Sequence, residues 1–219
     1  MTAAPTPRGL YAITSDALCR DATVLKQGVR DALRGGAVMI QYRDKQATAS
    51  QRLARAEALC ALCRDHGVPL IVNDDIDLAR VIGADGVHLG RSDGTVDAAR
   101  QALGAHAIVG ISCGPMPERA MQAEAEGASY AAIGRLFPSQ TKPSAPAARL
   151  DDLRAARAAL RIRLCAIGGI TPAHAPTVVA AGADLLAVVA GVFDTQDVAS
   201  AAAAYTAAFQ TSTGKTQEP

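Results

Sequence analysis

Short apolar runs alternate with amphipathic stretches along this chain eight times over, and few architectures accept that pattern. The runs are Leu10–Ile13, Val38–Tyr42, Leu70–Asn73, Gly86–Leu89, Ile108–Ser112, Tyr130–Gly134, Leu164–Ile167 and Leu185–Val189. Each is too short for a buried helix and suits a strand covered on both faces. Helix-like segments follow at Thr23–Arg34, Ser50–His66, Ile76–Ile82, Val96–Leu103, Pro117–Glu126, Leu150–Leu160, Pro172–Ala180 and Asp197–Phe209. Strict alternation predicts a parallel sheet with right-handed crossovers. A weak repeat agrees with this: Gly36-Ala37, Gly83-Ala84, Gly127-Ala128 and Gly182-Ala183 each precede a strand. A left-handed Gly ending a helix, then a small residue turning into the sheet, explains the recurrence. Eight units in 219 residues predict an α/β fold, a single-domain (β/α)8 TIM barrel at the short end of its range. An open doubly wound sheet is the alternative, but no linker interrupts the repeats. The barrel is assigned to residues 9–210, with flexible segments over 1–8 and 211–219 and the Ala-rich 199–208 stretch in a closing helix.

With 49% hydrophobic and 3% aromatic residues, the core is expected to be aliphatic and to need no disulfide or structural metal. A net charge of +1 argues against a general nucleic-acid or anionic-membrane surface, so any positive field is local. The five cysteines, Cys19, Cys60, Cys63, Cys113 and Cys165, lie in apolar segments. That odd number without a secretion signal predicts free thiols in a reducing, cytoplasmic setting. Cys60-Ala-Leu-Cys63 has redox spacing but sits deep in an amphipathic stretch rather than at a helix start, so it reads as packing. Met1–Arg8 lacks an apolar signal core, and no run approaches membrane-spanning length.

In a barrel, reactive groups belong just after the strands, where the βα loops form the active face. After strand two come Gln41, Arg43 and Lys45, alternate residues that share a face of an extended segment. Two cations and an amide there suit a phosphate or diphosphate. Strand three ends in Asn73-Asp74-Asp75, and strand four runs through His88 to Asp93. Asp74 and Asp93, at neighbouring strand ends, suit Mg²⁺, which takes oxygen ligands. Asp75 reads instead as the cap of the next helix. Ser112-Cys113 ends strand five. The Ser139–Lys142 loop offers hydroxyls and a cation for phosphates, although a Pro/Ser linker has the same composition. Gly168-Gly169 and Val189-Ala190-Gly191 expose backbone amides of the kind that hold an anion.

Other motifs are decoys. Thr213-Gly214-Lys215-Thr216 imitates the end of a phosphate-binding loop, but Phe209 holds its first glycine position and no strand precedes it. His66, His106 and His174 are isolated, and His88 within a strand reads as structural. No Ser-His-Asp set is legible.

The ordered motifs Gln41-Tyr-Arg-Asp-Lys45, Val72-Asn73-Asp74, Gly86-Val-His-Leu-Gly-Arg-Ser-Asp93, Gly110-Ile-Ser112, Phe137-Pro-Ser-Gln-Thr-Lys-Pro143 and Ala166-Ile-Gly-Gly-Ile170 carry a resemblance. From Leu10 to Asp194 the chain resembles the thiamine-phosphate synthase family. The resemblance implies a barrel that joins a hydroxymethylpyrimidine diphosphate to a thiazole phosphate. The diphosphate leaves first, and the thiazole nitrogen traps a pyrimidine-stabilised carbocation. It implies pyrimidine diphosphate contacts from Gln41, Arg43, Lys45, Asn73, Ser112 and Lys142, with catalytic roles for Arg43, Lys45, Ser112 and Lys142. It implies Mg²⁺ on Asp74 and Asp93, and thiazole phosphate on Ser139, Thr141, Gly169, Val189 and Ala190. Tyr42, Asp44, Gln140 and Gly168 complete the expected substrate-binding set. Against the family pattern, Ser139 replaces Thr, Arg91 replaces Gln, Ala190 replaces Ser, and Gly114 stands where His is frequent. A thiazole tautomerase and a non-catalytic phosphate sensor are the other readings; the first has no diphosphate to stabilise and the second no use for both acids. A homo-oligomer is open.

Overall fold

The computed structural model describes residues 6–139, 144 and 146–210. Among these, eight parallel strands close into a barrel, with β8 hydrogen-bonded back onto β1. They are β1 (Gly9–Ile13), β2 (Ala37–Tyr42), β3 (Leu70–Asn73), β4 (Gly86–Leu89), β5 (Ile108–Gly114), β6 (Tyr130–Gly134), β7 (Arg163–Ile167) and β8 (Leu185–Val188). Helices α1 (Ala22–Arg34), α2 (Ala49–Asp65), α3 (Ile76–Ile82), α4 (Val96–Leu103), α5 (Pro117–Ala125), α6 (Leu150–Ala159) and α7 (Ala175–Ala180) follow the first seven strands. Two helices, α8 (Ala190–Phe193) and α9 (Val198–Gln210), follow β8. Closure excludes the doubly wound alternative.

Strand alternation divides the core into two layers. Leu10, Ala12, Ile40, Leu70, Val72, Val87 and Leu89 face outward under the helices. Tyr11, Ile13, Met39, Ile71, Tyr130, Cys165 and Leu185 fill the barrel interior. The same parity sends Gln41, Asn73, His88 and Ser112 inward at the mouth. The helices are stopped and started by local chemistry. Thr48 and Gln51 form a capping box at α2, and the Asp75 carboxylate accepts from Leu78 N–H at 2.8 Å, so Asp75 is the expected cap. Gly36, Gly83, Gly127 and Gly182 all have positive φ, as the Gly-Ala repeat predicts.

The differences from the expected elements are local. β5 continues past Ser112 to Gly114 through an irregularity in its pairing with β6. A 3-10 turn at Leu18–Arg20 precedes α1, and α8 occupies the end of β8 that the sequence left open. The segment expected to be flexible over 1–8 is docked where it is described: Thr6 is buried, its carbonyl accepts from Arg163 Nε at 3.0 Å, and the Arg8 guanidinium lies over Phe209. Residues 1–5 and the 211–219 tail lie outside the described residues. No helix among the described residues is long and apolar enough to cross a membrane.

All five thiols are free and buried. Burial pushes Cys63 and Cys19 up to about 12 and Cys113 to about 11. Cys60 packs its sulfur 3.5 Å from the Ile82 carbonyl. The Cys60/Cys63 pair is therefore helix packing, and the expected result with Ellman's reagent at pH 8 is no rapid reaction in the native protein. After unfolding in urea all five cysteines react. Rapid native titration of Cys60 or Cys63 would mean that α2 opens this face to solvent.

Candidate active site

The C-terminal mouth of the barrel holds two adjoining hollows that share Asn73. The central one, about 560 Å³, lies over the barrel axis. Gln41, Arg43, Asn73 and Ser112 line one side; Ser139, Gly168, Gly169, Val189 and Ala190 line the other. The second, about 550 Å³, is lined by Lys45, Asp74 and Asp93. The expected acids thus lie together, beside the main cavity rather than inside it. Gln140, Thr141 and Lys142 lie outside the described residues.

Arg43 is set by β1. Thr14 Oγ1 accepts from Arg43 N–H at 2.8 Å and donates to Arg43 O at 2.9 Å. The guanidinium donates to both oxygens of Asp16, at 3.2 and 3.3 Å, and Asp16 also accepts from Lys45 N–H. Arg43 Nε and Arg135 Nε are buried and have no hydrogen-bond partner among the described residues, and both arginines line the central cavity. Unpaired buried donors of this kind mark a place that an anion would satisfy.

Lys45 donates to Asp74 at 2.8 Å. Burial disfavours the Asp74 carboxylate, but the Lys45 ammonium bonded to it outweighs that and holds its pKa below the ordinary value. Asp74 has φ 66°, and Asp75 N–H donates to Asn73 O across it, a tight turn of the rarer hand. Such backbone strain at a non-glycine residue persists where surrounding structure enforces it. Asp93 accepts from Gly90 N–H at 2.9 Å, and a Cβ at Gly90 would strike the Asp93 carboxylate. Two oxygen-donor acids side by side, with a cation already drawn to one of them, fit a hard divalent metal such as Mg²⁺.

Tyr42 and Asp44 line the second hollow with Lys45 rather than the central cavity. Their parity turns them outward, where Tyr42 donates to Asp44 at 3.2 Å and Arg55 of α2 pairs with Asp44 at 2.8 Å. Asp44 also accepts from Gln46 and Ala47 N–H, so it shapes the loop that carries Lys45.

Gly168 and Gly169 are needed for more than exposed amides. Phe137 N–H donates to Gly168 O at 2.9 Å, and Gly169, at φ 61°, has no room for a Cβ beside the Pro138 carbonyl. The Phe137 ring stacks on His174 with centroids 3.8 Å apart, fixing the start of the Ser139 loop against the chain that leads into α7. At the cavity floor Tyr11, Tyr130 and His88 connect Gln41 to Ser112 by hydrogen bonds. Sequence reasoning missed Asp16, Tyr11, Tyr130 and Arg135. The polar Thr14-Ser15-Asp16 triplet after β1 was a signal for the first; strand parity, counted back from Ile13, was one for Tyr11.

A family model described as thiamine monophosphate synthase matches residues 10–192. The thiamine-phosphate synthase of Methylococcus capsulatus is 56% identical over 195 residues, 89% of this chain and 86% of that protein. That of Aromatoleum aromaticum is 51% identical over 202 residues, covering 92% and 96%. The solved thiamine phosphate pyrophosphorylase from Pyrococcus furiosus superimposes with a TM-score of 0.84 at 32% identity, covering 94% of this chain and 97% of that one.

Proposed function

Since the chain belongs to the thiamine monophosphate synthase family and is a transferase, we propose that it condenses 4-amino-2-methyl-5-hydroxymethylpyrimidine diphosphate with thiazole phosphate, releasing thiamine phosphate and pyrophosphate. The observation that carries this reading is the paired hollow. A cavity edged by cations and bare amides adjoins two carboxylates, as substrates bearing both a diphosphate and a phosphate require.

In the proposed route the bond between the pyrimidine methylene carbon and the diphosphate oxygen breaks, and its electron pair leaves with the diphosphate. The thiazole nitrogen lone pair then forms the new carbon–nitrogen bond. Such a reaction requires stabilised leaving-group charge more than acid–base groups. Arg43 and Lys45 supply positive charge there, with Arg43 preset by Asp16 and Lys45 tethered to Asp74. Ser112 offers a hydroxyl and Asn73 an amide to the same substrate. Ser139 and the amides of Gly169, Val189 and Ala190 hold the thiazole phosphate; the first amides of a helix such as α8 have no intrahelical acceptor. Gln140, Thr141 and Lys142 belong to the same proposal through the resemblance. Asp74 and Asp93 would hold Mg²⁺, which supplies electrostatic stabilisation of the departing diphosphate.

The test is to mix the protein with both substrates and Mg²⁺, then read thiamine phosphate as fluorescent thiochrome after oxidation. Product that vanishes with EDTA is the expected result. Folded protein that makes no product would overturn the reading in favour of a tautomerase or a sensor.

A further inference from the structure

Four hydrogen bonds run unbroken across the barrel floor. Gln41 Nε2 lies 2.6 Å from Tyr11 Oη, Tyr11 Oη 2.9 Å from Tyr130 Oη, Tyr130 Oη 2.9 Å from His88 Nδ1, and His88 Nε2 2.8 Å from Ser112 Oγ. Both ends, Gln41 and Ser112, open into the central cavity. We propose that this is a single hydrogen-bond wire through which an anion bound at Ser112 sets the carboxamide of Gln41, and so selects the pyrimidine that the cavity accepts. The proposal deepens the function given above and rests on it.

The proton count permits two arrangements of the wire. Each phenol carries one proton and a neutral imidazole carries one. Burial keeps both phenols protonated by raising their pKa values far above the ordinary range. Neither phenol has another hydrogen-bond partner among the described residues, so each must donate within the wire. Three internal protons then serve four bonds, and the fourth comes from one end. In the first arrangement Gln41 Nε2–H donates to Tyr11, Tyr11 to Tyr130, Tyr130 to His88 Nδ1, and His88 Nε2–H to Ser112. The Ser112 proton and the Gln41 Oε1 acceptor are left for a ligand. In the second arrangement every bond is reversed, leaving a Ser112 lone pair and a Gln41 N–H. A mixed arrangement either sets two phenol protons against each other or leaves the two phenol oxygens facing with no proton between them, and each loses a buried bond.

A diphosphate oxygen at Ser112 demands a donated proton, which selects the first arrangement. Gln41 then presents an acceptor, complementary to the 4-amino group of the pyrimidine. A ring bearing a 4-oxo group would meet acceptor with acceptor. Phosphate recognition and ring recognition are therefore one choice, with Tyr11, Tyr130 and His88 as positioning residues. Ring packing keeps the links in register: Tyr11 meets Tyr130 edge-on at 5.8 Å, and His88 stacks on Tyr130 at 5.6 Å.

Two measurements decide the matter. The first is ¹⁵N NMR of the His88 ring in the wild-type protein with inorganic pyrophosphate and Mg²⁺, assigned against His88→Gln. A neutral ring protonated on Nε2 is expected; the Nδ1–H tautomer or an imidazolium overturns the wire. The second is the ratio of kcat/KM for the 4-amino diphosphate to that for its 4-oxo analogue. It should fall by at least about tenfold in Tyr130→Phe, and likewise in Tyr11→Phe, which cuts the wire one link earlier. A ratio unchanged in both variants overturns the coupling. Absence of turnover by wild-type protein would count against the proposed function alone, because the NMR experiment decides the wire without it.

Discussion

Asp93→Asn should lower Mg²⁺-dependent formation of thiamine phosphate by roughly 10²- to 10³-fold while leaving the barrel folded, the scale of losing one preorganised electrostatic contact to a developing charge. The choice of asparagine matters. Asp93 braces the loop, accepting from Gly90 N–H at 2.9 Å and from Ser92 Oγ–H at 3.2 Å, and it lines the second hollow together with Asp74. Asparagine keeps an oxygen for the Gly90 amide and removes the charge. A structural role predicts an almost unaltered enzyme, whereas a metal role predicts collapse of the metal-dependent rate. Mn²⁺ binding followed by electron paramagnetic resonance gives a readout independent of turnover, and the variant should bind it more weakly. Unimpaired turnover and unchanged Mn²⁺ binding would sink the metal assignment.

The barrel was legible because its signals are local and repeat. Each strand is built on a short apolar run, and each Gly-Ala pair marks a chain reversal that left-handed backbone explains. The placement of Gln41 and Arg43 at the central cavity follows from the same reasoning, since strand parity is a local rule. Tyr42 and Asp44 lie on the other side of that alternation and line the second hollow. Successive residues of a strand point to opposite faces, so one continuous motif lines both hollows. Arg55, whose pairing with Asp44 explains the outward role, lies eleven residues further on, across the β2–α2 loop. The floor wire is less legible still. Its five members come from β1, β2, β4, β5 and β6, and Tyr11 and Tyr130 are separated by 119 positions. Either tyrosine alone reads as a core aromatic. His88 reads as structural for the same reason, and its bonds to Tyr130 and Ser112 show why a structural histidine and a positioning histidine can be the same residue.

Gly110→Ala should be among the most damaging single-methyl additions available to this fold. Gly110 lies on β5 opposite Tyr130 of β6, and a Cβ there would overlap the Tyr130 ring at Cζ, Oη and Cε1. The ring has little freedom to retreat, because it is fully buried, stacked on His88 and bonded through its hydroxyl to Tyr11 and His88. Overpacking combined with the loss of those buried bonds costs about 4 kcal/mol. For a chain of this length that lowers Tm by roughly 10 °C. Gly67→Ala is the matched control: Gly67 has φ 64° and nothing within 4 Å of the position a Cβ would take, so only backbone strain of about 1 kcal/mol applies. Calorimetry of both variants separates packing from conformation. If the Tyr130 ring is the obstacle, combining Gly110→Ala with Tyr130→Leu should cost less than the sum of the two single changes. Strict additivity would place the damage in the β5 backbone instead, and Tyr130 would then be a neighbour of Gly110 rather than the reason that position has no side chain.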